Sequence, residues 1–241
     1  MAPEQGQQND GLHSIARQPI DYELRKLPLR KKAKSGLDTT NAVKVFTFKA
    51  RLTRPKVGAV ATRQTIGSAA IHAAITQIAE SIVAKHGTSR RLIILGIANG
   101  GLPLSRRLTA RINAIAPKLP TALGTLDISF HRDDIGRNPI PKEFTPTVIP
   151  GDVNGATVIL IDDVLFSCRT VKAALDELFD HGRPAKVELA VLADRGGHLL
   201  PIHADYIGIT LEDVPDTARV VIRIDDKHPS HDSIRIESPK L

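Results

Sequence analysis

The 241-residue chain is 41% hydrophobic and 24% charged, the balance of a soluble globular protein, and its single cysteine, Cys168, excludes an internal disulfide. No stretch approaches the roughly 18–20 unbroken apolar residues that cross a bilayer, and the polar start, Met1 to Asp10, lacks the apolar core of a secretory signal. A cytoplasmic protein without a membrane partner is therefore expected. The net charge of +7 is unevenly spread: residues 1–63 carry 13 Lys/Arg against 5 Asp/Glu, and the remainder 20 against 21. The folded body is thus close to neutral, which weakens a nucleic-acid reading of the whole chain.

Residues 1–63 read as a basic, largely disordered N-terminal extension, and residues 64–241 as the folded domain. The extension is densest in charge at Arg25-Lys26 and Arg30-Lys31-Lys32-Ala33-Lys34, and only Val43 to Phe48 alternates enough for a short strand. It is either a solvated tail or an electrostatic arm for RNA or another anion. Next, Ile71, Ile75, Ile78 and Ile82 recur at spacings of four, three and four, one stripe of a helix closed by Gly87. Leu92 to Ile97 is a continuous apolar run, as in a strand buried on both faces. Gly100-Gly101 leads into a helix with Pro103 in its first turn and Leu104, Leu108 and Ile112 on one face. His131 to Asn154, rich in Pro and Gly, reads as a long loop, either disordered or a functional lid. Thr157 to Ile161 is a second buried strand, Val171, Ala174, Leu175 and Leu178 mark a helix capped by Gly182, and Val187 to Leu192 is a third strand. This alternation predicts an α/β fold with a parallel sheet flanked by helices.

The chemistry concentrates in Val158-Ile159-Leu160-Ile161-Asp162-Asp163-Val164-Leu165-Phe166-Ser167-Cys168-Arg169-Thr170. An apolar strand runs into two acids, and a loop of small and hydroxyl residues then opens a helix. Ligands of open α/β sheets bind at the carboxyl ends of strands. Backbone N–H groups and the hydroxyls of Ser167 and Thr170 at a helix N-terminus suit a phosphate. Adjacent carboxylates suit the vicinal hydroxyls of a ribose, or waters on Mg²⁺. The bland alternative is an acidic strand end followed by an ordinary Ser/Thr cap.

That segment resembles the phosphoribosyl-pyrophosphate motif of type I phosphoribosyltransferases. The likeness is to the pyrimidine-operon attenuation regulators that also act as uracil phosphoribosyltransferases. It continues through Arg169-Thr170-Val171, Gly182-Arg183-Pro184, Leu189 to Gly196 and Ala204-Asp205-Tyr206-Ile207-Gly208. Upstream, Asp127 to Asp134, with Arg132, Asp133 and Asp134, resembles the segment leading into that family's mobile hood loop. The resemblance covers roughly residues 66–225. It implies a type I phosphoribosyltransferase fold, with a central, mostly parallel sheet. It also implies a reaction in which uracil attacks the anomeric carbon of phosphoribosyl pyrophosphate, giving UMP and pyrophosphate. Asp162 and Asp163 would hold the ribose hydroxyls with Mg²⁺ bridging to the diphosphate, and Ser167, Cys168, Arg169 and Thr170 would cradle the 5′-phosphate. Asn99 and Gly100 would lie at the diphosphate, and Asp194 and Arg195 near the base. An mRNA leader as partner and a homo-oligomer, dimer or tetramer, are implied as well.

The chain departs from that family at three places. The pyrophosphate loop, normally Gly, apolar, Lys or Arg, Thr, Arg, Gly, reads Gly96-Ile97-Ala98-Asn99-Gly100-Gly101, with both cations gone. Cys168 replaces a glycine; it is either a tolerated small residue or a thiol activated by the helix N-terminus and Arg169. After Asp194-Arg195-Gly196 the family's His-Arg-Glu-Leu becomes Gly197-His198-Leu199-Leu200. No Cys/His cluster marks a structural metal, and His198 and His203 read as surface or core residues. Three readings stay open: a uracil phosphoribosyltransferase with a regulatory role, a nucleotide-sensing regulator of the same fold without turnover, and a scaffold of this fold docked to RNA or an acidic partner by its basic extension.

Overall fold

In the computed structural model, residues 48–50, 64–89, 91–131, 133 and 145–237 are described, all within one unit of the chain, 44–241. In chain order the elements are β1 (Phe48–Ala50), β2 (Gln64–Gly67), α1 (Ser68–His86), β3 (Leu92–Ile97), α2 (Gly101–Ile115) and β4 (Thr121–Leu126). There follow β5 (Thr157–Leu165), α3 (Arg169–Asp180), β6 (Lys186–Asp194), β7 (Tyr206–Leu211), β8 (Arg219–Arg223), a 3-10 turn (Pro229–His231) and β9 (Ser233–Glu237). Strand β1 lies inside the segment read from sequence as extension; residues 1–47 and 51–63 lie outside the described residues.

Six strands form a wholly parallel sheet in the order β1-β7-β6-β5-β3-β4. The fully apolar runs of β3 and β5 follow from burial on both faces. Ile94, Ile159 and Ile161 meet α1 and α2 on one face, and Ile93, Leu95, Val158 and Leu160 meet α3 on the other. The isoleucine stripe of α1, at Ile71, Ile75, Ile78 and Ile82, is buried as its spacing predicts. Each such side chain contributes about 1.5–3 kcal/mol through burial. A second, antiparallel sheet, β2-β9-β8, packs Ile234 and Ile236 into the α1/α2 side of the core.

The chain proceeds from β3 outward to β4, then returns past β3 to β5 and continues to β6 and β7. The strand order therefore reverses between β3 and β5, and a crevice opens there at the carboxyl ends. Among the described residues no helix is long and apolar enough to cross a membrane.

At the opposite end of the sheet, near the start of β6, Glu188 is fully buried among polar partners. Lys85 Nζ lies 2.8 Å and Lys186 Nζ 2.5 Å from its Oε1, and the Tyr206 hydroxyl donates to its Oε2 at 2.6 Å. His86 Nε2 lies 2.7 Å from the same oxygen. Burial alone would raise this carboxyl, but Lys186, Lys85, Tyr206 and His86 outweigh it and hold Glu188 well below the usual carboxylate range. The depressed value means that the cluster stabilises the fold above the ordinary Glu range and loses that contribution as pH falls. Glu188→Gln is expected to cost about 1–3 kcal/mol at neutral pH, with a deficit that shrinks toward acid. Urea denaturation of both proteins across pH checks this; a deficit independent of pH would contradict it.

Candidate functional site

Strand β5 reaches farther than its apolar run predicts. Its pairing with β3 stops at Ile161 opposite Gly96, whereas its pairing with β6 continues to Leu165 opposite Asp194. Asp162 and Asp163 are thus inside the strand rather than at its end, a correction to the sequence reading. They stand where β5 has lost its β3 neighbour but kept β6, so one flank opens to the crevice. Gly100 and Gly101, where the loop after β3 enters α2, lie against the edge of this opening.

Contact between that loop and the acids is very close. A Cβ on Gly100 would fall 2.7 Å from the Asp163 carboxyl carbon, and one on Gly101 would fall 2.1 Å from the Ile161 carbonyl oxygen. The glycine pair is therefore what allows α2 to begin against β5. In this arrangement a side chain at position 100, where the resembling family carries Arg, has no room without displacing Asp163. The peptide joining Ala98 and Asn99 is cis, and the Thr145 hydroxyl donates to Asn99 Oδ1 at 3.1 Å.

Asp162 is 6% exposed, and its Oδ1 accepts the Asp163 amide at 2.9 Å. Burial, then the charge of Asp163, pushes the Asp162 carboxyl well above the ordinary Asp range; burial also raises Asp163. Among the described residues no Lys, Arg or His pairs with either acid. The donor set is thus two crowded carboxyls without a cation, which fits a hydroxyl-rich sugar, a hydrated Mg²⁺, or both.

Two helix N-termini flank the pair. Neither α2 nor α3 has a side-chain hydrogen bond from its N-cap residue, so first-turn N–H groups at these helix starts remain available to a ligand. Ser167 and buried Cys168 lead into α3, with Arg169 and Thr170 exposed in its first turn; Ser167 Oγ stands 3.5 Å from the Arg169 amide. Cys168 has φ 67°, the left-handed conformation that glycine adopts freely and that costs another residue about 1–2 kcal/mol. Its side chain is buried, with Sγ 3.6 Å from the Ile202 carbonyl oxygen, and burial pushes the thiol up rather than down. The activated-thiol alternative is therefore corrected: Cys168 is a small core residue in a glycine's conformation.

The hood-side residues divide. Asp133 pairs with Arg169, bringing the start of the long loop to the first turn of α3, while Arg132 and Asp134 lie outside the described residues. Both roots of the loop are tied to α3 through Glu177, which accepts the Thr147 hydroxyl at 2.7 Å and lies 3.0 Å from His131 Nε2. Asp194 Oδ1 accepts the Gly196 amide at 2.8 Å and lies 2.9 Å from His198 Nε2, which closes its own turn. Arg195 is held by partners within the protein. It is buried, stacks 4.0 Å over Phe166, and donates to the Ala218 and Pro215 carbonyls at 2.8 and 2.9 Å. It is a strut joining the crevice loop to the segment before β8. Sequence reasoning missed this because the partners are backbone oxygens, which leave no trace in residue identity.

A groove of about 510 Å³ between α1 and α2, lined by His72, Thr76, Arg107 and Arg111 among others, shares no residue with the crevice. Asp127, just after β4, is buried, with Oδ1 accepting the Ser129 amide and hydroxyl. At the start of the segment that resembles the family's hood, it holds the turn that redirects the chain from β4 into the loop.

Comparison with known proteins agrees with this geometry. Residues 67–226 match the phosphoribosyl transferase domain. A "Bifunctional protein PyrR" of Leifsonia xyli subsp. xyli is 41% identical over 182 residues, covering 73% of this chain and 97% of the relative. Another, of Streptomyces coelicolor, is 44% identical over 152 residues, covering 62% and 76%. Among solved structures, the hypoxanthine phosphoribosyltransferase of Trypanosoma cruzi has a TM-score of 0.54 at 17% identity, over 72% of this chain and 95% of its own, which speaks to the fold alone. The chain belongs to the phosphoribosyltransferase family, among the relatives of the bifunctional PyrR proteins.

Proposed function

We propose that the protein is a uracil phosphoribosyltransferase that joins uracil to the ribose of phosphoribosyl pyrophosphate, and that it also acts as a pyrimidine-responsive regulator through RNA. The single observation that carries the catalytic reading is the pair of carboxyls, Asp162 buried and Asp163 half-buried, with no cation of the described residues beside them and two helix starts next to them. In this reading Asp162 and Asp163 accept hydrogen bonds from the ribose hydroxyls and so fix the anomeric carbon. The N–H groups at the start of α3, with the Ser167 and Thr170 hydroxyls, hold the 5′-phosphate. The start of α2 and the backbone of Asn99 and Gly100 face the diphosphate. A Mg²⁺ ion held through water by Asp162 and Asp163 would supply the positive charge that a departing diphosphate requires. Asp133 and Arg169 bridge the loop to the phosphate side.

The regulatory half rests on the likeness to the bifunctional PyrR proteins and on the basic segment 1–63, which we read as an arm, apart from the short stretch Phe48–Ala50 that joins the parallel sheet as β1. We further read the protein as a cytoplasmic homo-oligomer, dimer or tetramer. A second functional reading is favoured by one specific observation: the loop Ala98-Asn99-Gly100 has no cation where the resembling family has two. Loss of such an electrostatic stabiliser typically costs about 2.7–4 kcal/mol at the transition state. On that reading the crevice binds UMP as a signal and turns over slowly or not at all.

Conversion of labelled uracil to UMP with phosphoribosyl pyrophosphate and Mg²⁺ separates the two. Turnover supports the enzyme, UMP binding without turnover supports the sensor, and neither would remove both. Asp162→Asn with Asp163→Asn is expected to abolish UMP binding and to lower any turnover by at least about 100-fold. The same variant is expected to be more thermostable than the parent. Because the folded carboxyls are raised, the parent loses stability as pH climbs from the ordinary Asp range through the raised one, and the variant has no such loss. Melting temperatures across pH read this out; a double variant less stable than the parent at neutral pH would contradict the burial account.

If RNA is held by phosphate neutralisation on the arm, replacing Arg30, Lys31, Lys32 and Lys34 with Gln should flatten the salt dependence of RNA binding. Each lost phosphate contact is worth about 0.7–0.9 in the slope of log K against log salt. Filter binding at several salt concentrations measures it, and an unchanged slope assigns RNA to the folded body.

A further inference from the structure

The loop between β8 and β9 gathers three metal-binding side chains that the proposed reaction does not use and that show no Cys/His motif in the sequence. Asp225, His228 and His231 each offer a donor atom, and these atoms lie within 4.8 Å of one another. His228 Nδ1 is 3.6 Å from Asp225 Oδ1, and His231 Nδ1 is 3.7 Å from Asp225 Oδ2. The two imidazoles stack with centroids 5.2 Å apart and planes 28° from parallel, so both rings stand on the same side of the loop. We propose that Asp225, His228 and His231 form a site for a Zn²⁺-class divalent cation, which clasps the β8–β9 loop.

Donor chemistry selects the ion. Two imidazole nitrogens and one carboxylate oxygen suit Zn²⁺ and its transition-metal neighbours, whereas Mg²⁺ and Ca²⁺ require oxygen. The spacing agrees. Ligands at about 2.0–2.1 Å from a tetrahedral ion stand about 3.4 Å apart; His231 Nδ1, 3.7 Å from Asp225 Oδ2, is within a few tenths of an ångström of that, and the three donor atoms all lie within 4.8 Å, so a turn of the exposed His228 side chain completes the approach. A water would complete the tetrahedron, since both histidines are more than half exposed.

The carboxylate is held ready. Asp225 Oδ1 accepts the amides of Lys227 at 3.0 Å and His228 at 2.9 Å, which leaves Oδ2 for the ion. Among the described residues the Lys/Arg side chain paired with Oδ2 is Arg223, at 3.5 Å and 63% exposed. Behind the loop, the Asp225 amide donates to Asp232 Oδ1 at 2.8 Å, and Arg107 on α2 binds both Asp232 and the Asp225 carbonyl. Asp232 is buried and also meets His72 of α1 at 3.1 Å. The backbone that carries the carboxylate is thus anchored to both helices, so a bound ion would fasten the two histidines to an already fixed point. Preorganisation of this kind raises metal affinity by reducing what must be ordered on binding.

Calorimetric titration of ZnCl₂ into untagged, full-length protein stripped by chelation tests the site. One equivalent is expected to bind. His228→Ala and His231→Ala should each weaken it at least about tenfold, and the double variant should abolish it. Saturating Zn²⁺ should raise the melting temperature of the parent but not of the double variant. Both histidines are exposed, so the variants should fold, and far-UV circular dichroism would verify that they do. Asp162→Asn with Asp163→Asn should bind Zn²⁺ as the parent does, which keeps this site distinct from the crevice. Failure of the parent to bind Zn²⁺, or equal binding by parent and double-histidine variant, would overturn the proposal.

Discussion

Asp162 and Asp163 sit side by side in a strand that the fold withdraws from water, and no cation of the described residues compensates them. Two carboxyls in such a place resist ionisation, because the charged form loses hydration and each charge repels the other. The arrangement persists because strand pairing imposes it. Continued pairing with β6 keeps β5 extended through the acids, while the end of β3 removes the neighbour that would have covered them. Glycines at 100 and 101 then let α2 begin almost on top of the β5 backbone. The site is a consequence of where one parallel pair ends and the next does not.

Stability must come from elsewhere, and the sheet divides the two tasks between its ends. The carboxyl end of β5 carries raised acids; the opposite end carries Glu188, a buried carboxylate satisfied by two ammonium groups, a tyrosine hydroxyl and a histidine. Between them lies the apolar centre of β3, β5 and β6, covered by α1 and α2 on one face and α3 on the other. The same residue chemistry thus stands at opposite ends: one carboxylate is surrounded by cations and hydroxyl donors, and the Asp162–Asp163 pair has no cation of the described residues beside it. Cys168 shows a smaller version of this balance, since its left-handed backbone is strained while its side chain gains burial.

The centre of the fold was legible because its signals are local. The apolar run of β3, the isoleucine stripe of α1 and the step from apolar strand to Asp162-Asp163 each report burial through residue type alone. The second sheet was not read. In β9 only Ile234 and Ile236 alternate, too briefly to stand out, and β2 is four residues long with a glycine at its end. Arg195 belongs to a motif that resembles the family's base region, and its ties to two carbonyls of a distant segment leave no trace in residue identity. The length of β5 was underestimated for a related reason. Acidic residues ordinarily end a buried strand, and only the partner strand β6 explains why this one continues. The three ligands near His228 were equally hidden, because a turn rather than a periodic element gathers them.

The central claim is that the crevice beside Asp162 and Asp163 receives a phosphorylated ribose. A crystal structure of the protein with UMP and Mg²⁺ tests it most directly. The account predicts the ribose hydroxyls within hydrogen-bond distance of the two carboxylates and the 5′-phosphate on the N–H groups at the start of α3. UMP bound elsewhere, or bound here with its ribose turned away from both acids, would contradict it.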